Sequence, residues 1–143
     1  MADADSPLQQ ALATLARLAK PLELMPQVAD RGVPDQERIY LRANQRVSLR
    51  EYLLLVGVRL LDNTSFPAPN HVLWLGNDTL EAGTWLVVYT GPGQPIITSI
   101  AGTNEPARVL FWHNTTTIFH DPRMVPLLVK FDPALVQFGL PPA

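Results

Sequence analysis

The sequence contains no cysteine, and it carries little net charge. Without thiols the chain cannot form disulfides or zinc–thiolate sites, and it cannot use a cysteine nucleophile. Its 11 basic and 13 acidic residues give a formal net charge of −2. Nucleic-acid binding needs a concentrated basic surface, so nucleic acid is not an expected partner.

A long hydrophobic run is also missing from the sequence. No apolar stretch reaches the ~18 residues that a transmembrane helix needs, so we expect no membrane partner. The first ten residues, MADADSPLQQ, lack the basic and apolar regions of a signal peptide. We therefore expect a cytoplasmic protein. With 143 residues, 47% of them hydrophobic and 17% charged, the chain has the composition of a globular domain.

The first pattern that is present is a helix signal. Ser6 suits the N-cap, and Pro7 suits the first helical position because its φ is already fixed. Pro21 stops the pattern. We predict an amphipathic helix over residues 7–19. Apolar side chains recur along it at helical spacing, at Leu8, Leu12, Leu15 and Ala19.

We call Leu8, Leu12 and Leu15 the leucine stripe. A helix this short is marginal in water by itself, so the stripe should dock on another surface. One alternative is packing on its own domain. The other is self-association, because Leu8, Leu15 and Leu22 keep a seven-residue spacing.

Beyond residue 36 the pattern changes to short apolar runs separated by turn residues. Many short strands with no helical pattern between them are typical of an antiparallel sandwich or barrel. We therefore predict a mainly β chain, with a helical arm and an extended linker over residues 1–36 and a β-sandwich over residues 37–143. The predicted strands cover residues 37–42, 53–61, 71–75, 85–89, 96–100, 108–112, 125–131 and 135–138.

Four stretches carry a family resemblance through their order and spacing. The stretches are ERIYLRAN (37–44), VSLREYLL (47–54), DTLEAGTWLVVYTGPG (78–93) and RVLFWHN (108–114). They resemble the lamin tail domain, an immunoglobulin-like β-sandwich, over about residues 37–139. Tyr52, in the second stretch, takes a place where that family usually has Trp. The resemblance implies a non-catalytic protein–protein interaction module, and no cofactor is expected.

The Gly91-Pro92-Gly93 loop could in principle cradle a phosphate. A phosphate loop needs a helix N-terminus directly after it, whereas a β-prone run follows here. Pro92 and Pro95 also remove two amide donors that such a loop would use. We predict that the loop only ends a strand.

Two further functions remain as alternatives to a protein-interaction module. His113, His120 and Asp121 could serve a metal-dependent or small-ligand-binding enzyme if paired strands bring them together. No Gly-x-Ser-x-Gly elbow supports a serine hydrolase, so the favoured interpretation is not an enzyme. Exposed aromatic residues could instead bind carbohydrate or nucleic acid. Trp74 is the tryptophan that we choose as the candidate for partial exposure, while a core position is the favoured alternative for it. With the leucine stripe it completes the candidate interaction residues.

Overall fold

The computed structural model describes residues 6–18 and 20–142, and this part of the chain is mainly β. One helix, α1 (Pro7–Leu18), precedes the strands, and Gln9 N donates to Ser6 Oγ at its start as predicted. Short 3₁₀ turns lie at Leu49–Glu51 and Pro133–Leu135. The strands are β1 (Leu22–Leu24), β2 (Arg38–Ala43), β3 (Val47–Ser48), β4 (Tyr52–Arg59), β5 (Ser65–Trp74), β6 (Thr79–Leu80), β7 (Trp85–Tyr89), β8 (Ile96–Ser99), β9 (Pro106–Phe111) and β10 (Met124–Lys130).

The strands form a five-stranded sheet, a three-stranded sheet and a small two-stranded sheet. Their orders are β1-β2-β7-β9-β8, β10-β4-β5 and β3-β6. Within the described residues, neighbouring strands are antiparallel except for β7 and β9, which are parallel. The expectation of a wholly antiparallel arrangement is therefore wrong at this pair. Residues 90–105 make the long crossover that a parallel pair requires, and β8 within them pairs antiparallel with β9.

The two larger sheets share one hydrophobic core. Strand β2 and residues 52–56 of β4 alternate between buried and partly exposed side chains, which is the period of two that a sheet with one core-facing side requires. The five-stranded sheet contributes Ile39 and Leu86, and the three-stranded sheet contributes Leu54 and Val56, all of them fully buried. Phe119, from the loop before β10, fills the same core.

Strand β1 lies inside the segment predicted as an extended linker. Leu22 pairs with Ala43 of β2, and its side chain is buried in the core. It does not continue the leucine stripe on a helix, so the predicted seven-residue set of Leu8, Leu15 and Leu22 is wrong. Asn44 anchors the two residues just before β1. Its backbone N–H donates to Pro21 O, and its side-chain amide donates to Lys20 O.

The Gly91-Pro92-Gly93 loop ends β7, and strand β8 follows it, as predicted. His113 N donates to Gly91 O at 3.0 Å. A Cβ atom on Gly93 would overlap the ring of Phe111, so this position favours glycine because the backbone passes close to an aromatic side chain.

A buried carboxylate fixes the loops on one side of the core. Glu37 is almost fully buried, and its two oxygens accept from the hydroxyl of Thr90 and from the backbone N–H groups of Gly32, Ile118 and Phe119 at 2.7–3.0 Å. Buried carboxylates are costly unless they are fully hydrogen-bonded, and this one is. Residues 32, 90 and 118–119 are thereby held in one arrangement.

Candidate functional site

The outward side of the three-stranded sheet is an array of apolar side chains. Directly paired residues lie on the same side of a sheet, so the register forms two rows across the three strands. One row is Trp74–Leu53–Val129, and the other is Val72–Leu55–Leu127. We call these six side chains the outer apolar face.

The outer apolar face is uncovered in the described structure. Val72 is 58% exposed, Trp74 47% and Val129 38%, while Leu53, Leu55 and Leu127 are half-buried. The Trp74 indole N–H donates to Arg50 O at 3.0 Å, which satisfies its one polar atom and leaves the ring as apolar surface. Large contiguous apolar patches on protein surfaces are often found at interaction sites, which makes this face a candidate site.

The sequence of β4 explains why both sides of this sheet are apolar. Leu54 and Val56 point into the core, and the intervening Leu53 and Leu55 point outward. A strand that is apolar at consecutive positions is typical of a sheet buried on both sides. Among the described residues, a second layer packs only on the inner side of this sheet. The outer side is equally apolar but remains exposed to solvent.

The leucine stripe on α1 is a second uncovered apolar surface. Leu8, Leu12 and Leu15 are 69%, 56% and 61% exposed. The helix is strongly amphipathic, so these side chains form one apolar stripe. This helix by itself has the marginal stability of any twelve-residue helix in water, and covering the stripe would supply the missing packing.

The segment that starts at Lys20 and leads into β1 lies beside β10. A groove of about 380 Å³ is lined by residues at the start of β1 and by the middle of β10. Strand β1 is an edge of the five-stranded sheet and β10 is an edge of the three-stranded sheet, so these two edges lie next to each other. The residues that line the groove are Lys20, Leu22, Glu23, Leu24, Pro126, Leu127 and Leu128.

The predicted metal-site residues are engaged elsewhere. His120 Nδ1 contacts Thr117 O at 3.0 Å, and Asp121 pairs with Arg123 at 3.0 Å. The hydrogen bonds from Arg123 lower the pKa of Asp121, so this carboxylate is already neutralised by a cation. Among residues 6–18 and 20–142, no group of three or more His, Asp or Glu side chains is placed to hold a metal ion.

His113 instead borders a shallow groove of about 470 Å³. Asp35 also lines this groove, and His113 and Asp35 have positive φ angles of 61° and 63°. Three consecutive threonines, Thr115–Thr117, complete that side. His and Asp are among the residues that tolerate this conformation best, so both positions fit tight turns.

The outward side of the five-stranded sheet carries arginine and aromatic side chains. Arg42 stacks on Trp85, with its guanidinium carbon 4.7 Å from the ring centroid, and Trp85 donates to Glu105 at 3.1 Å. Arg38 contacts the rings of Tyr40 and Tyr89. Beneath these side chains Val87 is buried although it points outward, so the chain covers this sheet with its own residues.

Sequence reasoning found part of the candidate surface. It singled out Trp74 and the leucine stripe, and the structure places all four side chains at the surface without bringing Trp74 and the stripe together. It did not single out the other five members of the outer apolar face, which it placed in predicted strands without assigning them to a side of the sheet. The uninterrupted Leu53–Val56 run was the signal that could have found them, because a one-sided sheet would alternate with polar residues.

Comparisons with protein-family models, with curated proteins and with solved structures give no match for this chain. Within the described residues, no helix has both the length and the apolar character that crossing a membrane requires.

Proposed function

We propose that this chain is a non-catalytic, cytoplasmic protein-interaction module that binds a second copy of itself. In this proposal its two larger sheets form an immunoglobulin-like β-sandwich similar to the lamin tail domain. The resemblance in residues 37–139 supports that relationship, and so does the core that the two sheets share. The parallel pairing of β7 with β9 is a departure from a purely antiparallel sandwich.

The observation that carries the proposal is the outer apolar face. It combines six apolar side chains from three strands with no charged residue among them. An apolar cluster that includes a tryptophan resembles the composition of the energetic centre of many protein interfaces. A polar or ionic ligand would find no charged group there, so the chemistry favours a protein surface as the occupant.

The test is the solution mass of the full chain, measured by sedimentation equilibrium over a wide concentration range. We expect an oligomer that dissociates on dilution. Val72→Lys places a charge in the outer apolar face at an already exposed position, so it should leave the fold intact and shift the chain to monomer. Ile97→Lys is the matched control, because Ile97 is also an exposed apolar strand residue, on β8.

Two results would contradict this function. The unmodified chain could remain monomeric at every concentration, which would remove self-association altogether. Alternatively, Ile97→Lys could dissociate the oligomer while Val72→Lys leaves it unchanged, which would move the interface to the edge of the five-stranded sheet. Circular dichroism on each variant verifies that the strands are retained.

A further inference from the structure

We infer that helix α1 of the same chain is a reversible cover for the outer apolar face, so that the face binds a second copy only after the helix has moved away. This inference rests on the proposed self-association and specifies how that association is regulated. The structure describes the open arrangement, in which the leucine stripe and the outer apolar face are both uncovered. Each of these two surfaces has the composition that the other needs.

The connection to α1 begins at the edge of the outer apolar face. Lys20 lines the same groove as Leu127, which is a member of the face on β10. Asn44 holds this end of the connection in place, because its side-chain amide donates to Lys20 O at 3.0 Å. Helix α1 ends at Leu18, and the two residue steps from there to Lys20 span at most about 7 Å. The C-terminal end of the helix is therefore tethered beside the face.

The spacing of the leucine stripe agrees with the spacing of the strands. At 1.5 Å per residue, Leu15 lies about 4.5 Å and Leu12 about 9 Å before Leu18 along the helix axis. The three strands follow one another at about 4.8 Å, so the face is about 10 Å across. A helix that ends at β10 and crosses the sheet would place Leu15 over β4 and Leu12 over Val72 of β5. Such a helix is about 10 Å wide including its side chains, so it can cover both rows of the face.

The short tether favours the helix's own face over the face of another copy. A segment joined by a short linker meets its target at an effective concentration of about millimolar. Below that protein concentration, the helix of a second copy is the weaker competitor for the same surface. Closing also stabilises α1, because a helix of twelve residues is marginal in water and the covered stripe supplies packing.

Closing and self-association exclude each other, because both use the outer apolar face. Two copies must both open before their faces can meet. If closed chains outnumber open chains by about three to one, each copy contributes a factor of about four, and the dissociation constant of the dimer rises about 16-fold. The chain still associates at high concentration, and the cover sets the concentration at which it does so.

The absence of cysteine makes the closed arrangement directly testable, since introduced thiols are the only ones in the chain. The full-length double variant Leu12→Cys/Val72→Cys is diluted to nanomolar concentration and oxidised gently. We expect its internal disulfide to form at least about tenfold faster than that of Leu12→Cys/Ile97→Cys, because Ile97 lies on β8 of the other sheet. Equal rates in the two variants would overturn the cover, and so would linked dimers in place of the internal disulfide.

The internal disulfide also tests whether the cover controls association. We expect the oxidised Leu12→Cys/Val72→Cys chain to remain monomeric at concentrations where its reduced form associates. Sedimentation equilibrium with and without a reducing agent measures this difference on one protein. If the oxidised chain associates as strongly as the reduced chain, regulation by α1 is wrong.

Removing the leucine stripe separates failure of this inference from failure of the proposed function. Leu12→Gln/Leu15→Gln keeps helix-forming residues but cannot cover an apolar surface. We expect this variant to associate at least about tenfold more tightly than the unmodified chain, because its face is always open. Thr14→Gln is the matched control and should associate as the unmodified chain does, since at the helical period Thr14 points away from the stripe. Unchanged or weaker association of the stripe variant would overturn the regulation and leave self-association in place.

Failure of the proposed function would give a different set of results. Neither the unmodified chain nor Leu12→Gln/Leu15→Gln would then associate at any concentration. The rates of internal disulfide formation would still decide whether α1 covers the face. A fast internal disulfide would leave the cover in place and remove the association that it regulates, whereas equal rates would remove both.

Discussion

The outward sides of the two larger sheets differ in how they are covered. On the five-stranded sheet, arginines and aromatic rings lie over Val87 and bury it, and their polar ends are paired with Glu105 and Asp30. On the three-stranded sheet, the corresponding positions are short aliphatic side chains and Trp74, and three of the six are more than a third exposed. Long amphipathic side chains can cover apolar surface and still reach water. The outward side of the five-stranded sheet is therefore covered by its own side chains, whereas that of the three-stranded sheet has an apolar surface suited to a partner.

The two surface tryptophans offer the largest test of this difference. Trp85 contacts Arg42, Tyr40 and Glu105, so Trp85→Ala removes the cover of its sheet. We expect a cost of about 2–3 kcal/mol in the free energy of unfolding, somewhat less than for a fully buried tryptophan. Trp74→Ala removes an exposed ring, and we expect about 1 kcal/mol or less in the monomer.

Urea unfolding at protein concentrations below the dissociation constant measures both effects. We expect the opposite order of effects on association. Trp74→Ala should weaken the oligomer, and Trp85→Ala should leave it intact at temperatures where the fold persists. If Trp74→Ala destabilises the dilute monomer as strongly as Trp85→Ala does, then the outer apolar face contributes to the monomer's own stability. The distinction between the two sheets would then fail.

Much of the fold follows from local sequence signals. The helix start at Ser6, the strand at 85–89 and the strand-ending role of Gly91-Pro92-Gly93 were all predicted, because each depends on residues close together in the chain. For Trp74 the sequence left both a core and a surface position open, and the structure shows this residue 47% exposed at the end of the ten-residue strand β5.

The remaining features depend on contacts between distant residues. Strand β1 is only three residues long, and it exists because Leu22 pairs with Ala43. The parallel pairing of β7 with β9 is decided by the crossover between them. Glu37 lies in a strand-like stretch where a carboxylate is usually exposed, and its burial requires backbone N–H donors from residues 118 and 119, some eighty positions away. The outer apolar face required the register of three strands.

A buried hydroxyl behind the outer apolar face supplies the next prediction. Tyr52 is almost fully buried on the inner side of β4, and its hydroxyl makes no hydrogen bond of normal geometry with the described residues. Removing an unsatisfied polar group without changing the shape of the side chain should help the fold. We expect Tyr52→Phe to stabilise the chain by up to about 1 kcal/mol, measured by urea unfolding at pH 7.

The same residue gives a pH dependence. Burial raises the pKa of Tyr52 above 10.0, the charge of Glu51 adds to this, and the backbone of Leu22 opposes it in part. Because the folded state binds this proton more tightly than the unfolded state, its contribution is fully present below pH ~10 and is lost as the pH rises through the folded pKa. Tyr52→Phe should therefore flatten the decline in melting temperature at alkaline pH. An unchanged alkaline decline would mean that Tyr52 ionises equally in both states.

The smallest expected effect concerns the ion pair that holds the cover of the five-stranded sheet. Arg38 Nη1 lies 2.6 Å from Asp30 Oδ2, and Arg38 Nε donates to Tyr40 Oη, which fixes the guanidinium beside two aromatic rings. Asp30→Asn retains a residue that tolerates the positive φ of 50° and removes only the charge. Since Asp30 is half-exposed, we expect a loss of about 0.5 kcal/mol in the free energy of unfolding, and the loss should shrink in 1 M salt. Self-association should not change, because this pair lies on the sheet that is already covered. A weaker oligomer in Asp30→Asn would mean that the five-stranded sheet also contributes to the interface, and the division of roles between the two sheets would have to be abandoned.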